Sequence, residues 1–268
     1  MSKDLAVLVI HGMGSQTPDF AAEMIDELCE RIDDAGKDPK RIAWESIYWA
    51  DILEEKQLSY LSEAKRQGDL DFVSLRKFML TSFGDAGAYQ KVESSENSTY
   101  EKIHERVELV IKSLYESKLG SASKPMIIIA HSLGGHIMSN YIWDKQHSNN
   151  PQENTFESMK DLVGIVTFGC NIPLFTFAYN KVEPIEFPPH SLPDNLKQKS
   201  KWLNYYDPDD VLGYPLKAIN AEYDKVVTTD EAINVGGIFS SWNPMSHSGY
   251  WTDNDFTKPV SKFISSFL

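Results

Sequence analysis

The stretch PMIIIAHSLGG, residues 125–135, decides the fold. Its first half is a short apolar run rich in β-branched isoleucine, which predicts a strand buried on both faces of a parallel sheet. Small residues, Ala130 and Gly134, stand two positions to either side of Ser132, where a sharp strand-to-helix turn would exclude larger side chains. An apolar-periodic segment follows directly. The sequence therefore predicts a strand, a tight turn that exposes Ser132, and a helix.

Outward from this stretch, the chain alternates predicted strands with predicted helices. Strands are expected at 5–10, 41–49, 125–130, 162–168 and 202–206. Helices are expected at 19–32, in one or two pieces within 52–87, at 100–119, directly after Ser132, and at 260–268. A loop is expected at 93–98 and a late hairpin from 226–227 and 233–235. This alternation predicts an α/β fold with a mostly parallel sheet and helices on both faces.

Composition and charge narrow the class of partner and the compartment. The formal net charge of −13 argues against nucleic acid as a partner, because a phosphate backbone would be repelled. The first apolar run, 5–10, is too short for the core of a signal peptide, and no run is long enough for a transmembrane segment. Cys29 and Cys170 lack any paired or metal-binding spacing, which favours free thiols. We expect a cytoplasmic protein.

A second glycine-containing motif, HGMG at residues 11–14, follows the first predicted strand. A turn of this composition can aim backbone N–H groups at a developing negative charge. The predicted donors of such an oxyanion hole are Met13 N–H and Leu133 N–H, the latter at the N-terminus of the helix after Ser132. The alternative is an ordinary turn that ends the first strand.

Through HGMG at 11–14, AHSLGG at 130–135 and a later aspartate and histidine, the sequence resembles the α/β-hydrolase superfamily, and in particular its lipase- and esterase-like members. The resemblance covers most of the chain and points to no characterised subfamily. It implies one domain over 1–268, a sheet of about six parallel strands, the order Ser…Asp…His, and two-step ester hydrolysis that needs neither a cofactor nor a metal. Only one strand precedes the HGMG turn, so the antiparallel strands usual at the N-terminal edge of the sheet are expected to be missing.

Chain order assigns the remaining catalytic candidates. His190 and His247 follow Ser132 at appreciable separation, and of the two only His247 comes after the acidic loop near residue 210. That loop contains Asp207, Asp209 and Asp210, and the choice of the acid lies between Asp210 and Asp207. Asp210 is favoured because a valine and a proline-containing apolar stretch follow it, as in lipase-like sequences, whereas Asp207 precedes a proline and could equally cap a turn.

These residues predict a serine hydrolase in which His247, held by Asp210, deprotonates Ser132 for attack on an acyl carbonyl. The expected substrate is a small-molecule or lipid-like ester, or a thioester. An acyltransferase with the same triad and a non-catalytic binding module with the same fold are the alternatives. Cap elements are expected at 52–98 and 171–200. Aromatic residues within 171–189 would either line an acyl pocket or fill the core beneath a loop.

Overall fold

A computed structural model describes residues 3–91, 98–148, 154–235 and 246–268. Within these ranges the strands form one sheet in the order β2-β1-β3-β4-β5-β6, and every neighbouring pair is parallel. The strands are β1 (Leu5–Ile10), β2 (Ile42–Ile47), β3 (Met126–His131), β4 (Leu162–Phe168), β5 (Lys201–Tyr206) and β6 (Thr229–Ala232). The predicted parallel sheet is confirmed, and the described residues add no antiparallel strand at its N-terminal edge.

Helices connect the strands and cover the sheet. They are α1 (Ala22–Asp34), α2 (Asp51–Gln67), α3 (Val73–Ala88), α4 (Thr99–Ser113), α5 (Leu133–His147), α6 (Ile172–Thr176), α7 (Asp194–Lys197), α8 (Ala221–Val226) and α9 (Asn254–Ser265). A π-helical turn, Leu114–Lys118, extends α4, and a 3₁₀ helix, Ser246–Thr252, precedes α9. Among the described residues, no helix is both long and apolar enough to cross a membrane.

The central strands β1, β3 and β4 are buried on both faces, as their continuous apolar runs predict. Residues of β1 alternate between two separate apolar clusters, since successive side chains of a strand point to opposite faces. Leu8 packs in the cluster that contains Ile103 of α4, whereas Val7 packs in the cluster that contains Leu28 of α1 and Val260 of α9. Both cysteines are free; Cys170 is buried and Cys29 is half-buried.

Two predictions about the last third of the chain are wrong. No hairpin forms from 226–227 and 233–235: Val226 ends α8, and the intervening residues form β6, which pairs parallel with β5. Val227 lies in the core cluster and Val226 packs against it, so the apolar pattern there reflects burial and not a hairpin. The closing helix begins at Asn254 rather than near 260, because the Asp253 side chain caps it by accepting the Asp255 N–H. Most of the loop expected at 93–98 lies outside the described residues.

Candidate active site

Ser132 lies on a tight turn between β3 and α5, as predicted. Its backbone has φ 52° and ψ −125°, a conformation that L-residues rarely adopt and that concentrates at functional sites. The turn packs closely on its neighbours. A Cβ on Gly134 would lie 2.5 Å from the His11 carbonyl oxygen, and one on Gly135 would lie 2.8 Å from Cys170 Sγ. Only glycine at these two positions lets α5 begin this close to β1 and β4.

The structure brings Ser132, His247 and Asp210 together from three distant parts of the chain. His247 Nε2 lies 2.7 Å from Ser132 Oγ, and His247 Nδ1 lies 2.8 Å from Asp210 Oδ2. Asp210 follows β5, and His247 lies in the 3₁₀ helix before α9. A carboxylate can only accept, so the imidazole carries its proton on Nδ1 and leaves Nε2 free to accept the serine hydroxyl proton.

The Asp210 carboxylate is held ionised inside the protein. Burial alone disfavours its charge, but hydrogen bonds from His247, Leu212 N–H and the Tyr250 hydroxyl outweigh burial and lower the pKa of Asp210 below its ordinary value. Leu212 N–H donates to Oδ1 at 3.0 Å and the Tyr250 hydroxyl donates to Oδ2 at 2.9 Å. Asp210 is therefore suited to orient an imidazole and to stabilise its positive charge.

Asp207 occupies a different position in the same loop. Its side chain accepts hydrogen bonds from Asp209 N–H at 2.8 Å and from Val235 N–H at 2.7 Å, and its own N–H donates to the Tyr250 hydroxyl at 2.8 Å. The carboxylate thus fastens the loop to the segment after β6. Of the two acids that sequence left open, Asp210 is the one in contact with His247.

His131, next to the serine, supports the histidine from behind. Its Nε2–H donates to the His247 carbonyl oxygen at 2.8 Å, and the two rings lie 4.8 Å apart between centroids. Burial lowers the pKa of His131 to about 3, so its ring is neutral. The sequence analysis gave His131 no role. Its hydrogen bond fixes the backbone of His247 without adding a charge beside it.

The HGMG loop packs directly against the serine. A Cβ on Gly12 would lie 2.5 Å from Ser132 Cβ. The buried His11 ring donates from Nδ1 to the Gly12 carbonyl at 2.7 Å and accepts Trp49 N–H at Nε2, and burial lowers its pKa to about 4. Because the C=O and N–H of a trans peptide point in opposite directions, this bond turns Met13 N–H away from the His11 ring. Leu133 is the first residue of α5, and the N–H groups of a helix's first turn have no acceptor within the helix.

A cleft of about 690 Å³ adjoins this constellation. Met13, His131 and His247 form its inner wall, and side chains of α3, including Leu75 and Phe78, form the opposite wall. The sequence predicted that the turn would expose Ser132, but its side chain is fully buried. The reason is the close packing of the HGMG loop and the His247 ring on it.

The segment expected to supply an acyl pocket, 171–189, lines another cavity. That cavity has a volume of about 450 Å³, is lined partly by α5, and includes His136, Phe175 and Tyr179 in its wall. Phe175 stacks on His136 with ring centroids 4.1 Å apart, while Phe177 is 86% exposed. Among the described residues, the cleft beside His247 takes its apolar wall from α3 instead.

Sequence reasoning missed two polar residues that complete the site, Tyr250 and Asp85. Tyr250 bridges the two loop acids, and only its position three residues after His247 could have indicated it. Asp85 accepts the Gly14 N–H at 2.9 Å. It is the single charged residue in the segment GDAGAY, 84–89, and nothing in that segment distinguishes it from an exposed helical carboxylate.

A parallel, helix-covered sheet with the serine on the turn after a central strand, and with the acid and then the histidine following it in sequence, is the α/β-hydrolase fold. No protein-family model matches the sequence, and no curated protein sequence is significantly similar to it.

Two solved structures are similar to the chain over nearly their whole length. One is a putative YdeN-like hydrolase from Pectobacterium atrosepticum, at 13% identity and a TM-score of 0.42, covering 99% of this chain and 93% of that one. The other is a lipase-esterase related protein from Clostridium acetobutylicum, at 12% identity and a TM-score of 0.41, covering 99% and 95%.

Proposed function

We propose that this chain is a serine hydrolase that cleaves carboxylic esters through an acyl-enzyme intermediate. The observation that carries the proposal is the continuous chain of hydrogen bonds from Ser132 Oγ through His247 to a buried, ionised Asp210. A serine hydroxyl is a weak nucleophile until an adjacent base accepts its proton, and the base works only in the correct tautomer. The hydrogen bonds of His247 supply both conditions.

In the proposed reaction, His247 Nε2 takes the hydroxyl proton as Ser132 Oγ forms a bond to the acyl carbon. The carbonyl oxygen becomes an oxyanion, for which Met13 N–H and Leu133 N–H are the proposed donors. His247 then gives its proton to the leaving alkoxide as the ester bond breaks. Water repeats the sequence: it loses a proton to His247, attacks the acyl-enzyme, and releases the acid as the proton returns to Ser132. Asp210 stabilises the imidazolium in both halves.

The cleft beside His247 suggests the class of ester. Leu75, Phe78 and Trp251 give it an apolar wall, and Ser74 and Gln16 add polar groups. We propose that a small-molecule or lipid-like acyl ester occupies it, with α2 and α3 acting as the cap element expected within 52–98. A thioester would react by the same steps.

A fluorophosphonate probe tests the proposal, because it reacts with an activated serine whatever the natural substrate is. We expect one adduct, located at Ser132 by peptide mass spectrometry, and loss of both labelling and ester hydrolysis in Ser132→Ala. Ser113→Ala is the control, since Ser113 is an exposed residue of α4 that lies outside both the cleft lining and the hydrogen-bonded chain. If the folded wild-type protein stays unlabelled on prolonged exposure, the enzyme proposal fails and a non-catalytic binding module becomes the better interpretation.

A further inference from the structure

Asp85 joins the α2–α3 pair to the loop that packs on the serine. Its carboxylate is buried and accepts two hydrogen bonds: Gly14 N–H donates to Oδ2 at 2.9 Å, and Gln57 Nε2 donates to Oδ1 at 2.7 Å. Gly14 lies 71 residues before Asp85 in the chain, and Gln57 lies on α2. The carboxylate thus fastens α2, α3 and the HGMG loop at one point.

The two peptide groups that flank Met13 are therefore both held. The Gly12 carbonyl is fixed by His11, and the Gly14 N–H is fixed by Asp85. Gly14 itself has φ +94°, a backbone conformation that would be strained for any residue with a side chain. Met13 N–H belongs to the first of these held peptide groups and therefore has little freedom to reorient. An oxyanion donor requires this, since its contribution depends on being oriented before the reaction.

We propose that Asp85 is a positioning residue for catalysis, which holds the HGMG loop so that Met13 N–H faces the oxyanion formed at Ser132. The inference rests on the proposed hydrolase function and extends it to a residue outside the triad. Asp85 acts through Gly14 and does not touch the reacting atoms. Helix α3 would thereby both line the substrate cleft and, through its contact with α2, hold one half of the oxyanion hole in place.

The electrostatics of Asp85 distinguish this role from simple support of the fold. Burial raises the pKa of Asp85 to about 6; the Gly14 and Gln57 hydrogen bonds lower it, and the negative charge of Glu54 on α2 raises it further. A carboxyl with a raised pKa makes the folded protein bind more protons than the unfolded chain between its ordinary pKa and about 6. Its contribution to stability is thus favourable in acid and is lost as the pH rises through 6. At pH 8 the ionised Asp85 carboxylate destabilises the folded protein.

The test compares Asp85→Ala and Asp85→Asn with Glu63→Gln, an exposed carboxylate on α2, using hydrolysis of an activated short-chain ester. Asp85→Ala removes the acceptor, so we expect kcat to fall roughly 10- to 100-fold with KM changed less than about twofold, because a misplaced donor acts on the transition state. Asp85→Asn keeps a carbonyl oxygen for Gly14 N–H and should restore most of kcat. Glu63→Gln should behave as wild type.

Two further measurements keep the test decisive if Asp85→Ala fails to fold. At pH 8, Asp85→Asn should have a higher Tm than wild type, and the difference should vanish near pH 4. The ratio of its kcat to that of wild type should rise from pH 8 to pH 5, as Asp85 of the wild type loses its carboxylate charge.

Three results would overturn the inference. They are a folded Asp85→Ala with wild-type kcat, a kcat ratio of Asp85→Asn to wild type that does not change with pH, and an Asp85→Asn protein whose Tm falls at pH 8 while its kcat is unchanged. Fluorophosphonate labelling of wild type separates the two proposals. If Ser132 is labelled and any of these results appears, only the role of Asp85 is wrong. If wild type is neither labelled nor active, the proposed function itself has failed.

Discussion

Replacing Gly12 by alanine is a sharp test of the HGMG loop, because the site leaves no room for a methyl group. The added Cβ would lie 2.5 Å from Ser132 Cβ and 3.1 Å from both His131 Nδ1 and the His131 carbonyl oxygen. Carbon atoms settle about 3.5–4.0 Å apart, so the overlap is roughly 1 Å or more. The partners at the end of central strand β3 cannot retreat, and the loop must therefore move away from Ser132.

The displacement sets the expected size of both effects. A shift of about 1 Å takes Met13 N–H out of hydrogen-bond reach of the oxyanion, and losing one such donor lowers kcat roughly 100- to 1,000-fold. Forcing a methyl group into a close-packed site destabilises a protein by about 1–3 kcal/mol. We expect Gly12→Ala to show both effects in steady-state hydrolysis of an activated ester and in thermal unfolding followed by circular dichroism.

Gly87→Ala is the matched control. Gly87 lies in α3, and a Cβ there would meet no atom within 4 Å. This substitution should leave kcat unchanged and raise stability by up to about 1 kcal/mol, the difference in helix propensity. If Gly12→Ala keeps wild-type kcat and Tm, the loop does not pack on Ser132 as described, and the assignment of Met13 as an oxyanion donor loses its basis.

Two more variant pairs test the acid and the cleft. Asp210→Asn should lower kcat about 10⁴-fold, because the imidazole loses its orienting charge and tautomer, whereas Asp207→Asn should mainly lower Tm by weakening the bond from Val235 N–H; the reverse order in kcat would move the role to Asp207. Phe78→Ala should shift the preferred acyl chain length, because each buried methylene of the acyl chain contributes about 0.8 kcal/mol. Phe177→Ala should not shift it, since Phe177 is 86% exposed. Identical chain-length profiles for wild type and Phe78→Ala would exclude α3 from the acyl site.

The parts of the fold that sequence predicted share one property: each is specified by its own residues. A continuous apolar run such as 162–168 identifies a buried strand wherever it falls, and the small residues around Ser132 identify the turn by local sterics alone. The hairpin prediction failed because it relied on the strand propensity of the valines alone. Val226 and Val227 have high strand propensity, but Asn220 caps a helix before them by accepting Glu222 and Tyr223 N–H groups, and the packing of that helix on the core outweighs propensity.

Motif and chain order predicted Ser132, His247 and Asp210, but not Tyr250 and Asp85, because a hydrogen bond between distant residues leaves no periodic trace in the sequence. Asp210 and Asp207 lie three residues apart in one irregular loop, and what separates their roles is the direction in which each carboxylate points.

Asp85 shows the same limit from the other side. Hydropathy and charge would place it on the exposed face of a helix, yet a loop 71 residues earlier in the chain presents an N–H that needs an acceptor. A buried carboxylate with a raised pKa works against stability at neutral pH, even though this one pairs the Gly14 N–H. The proposed role of Asp85 in holding the HGMG loop would offset that cost, which makes such groups the place to look for function that motif and periodicity leave out.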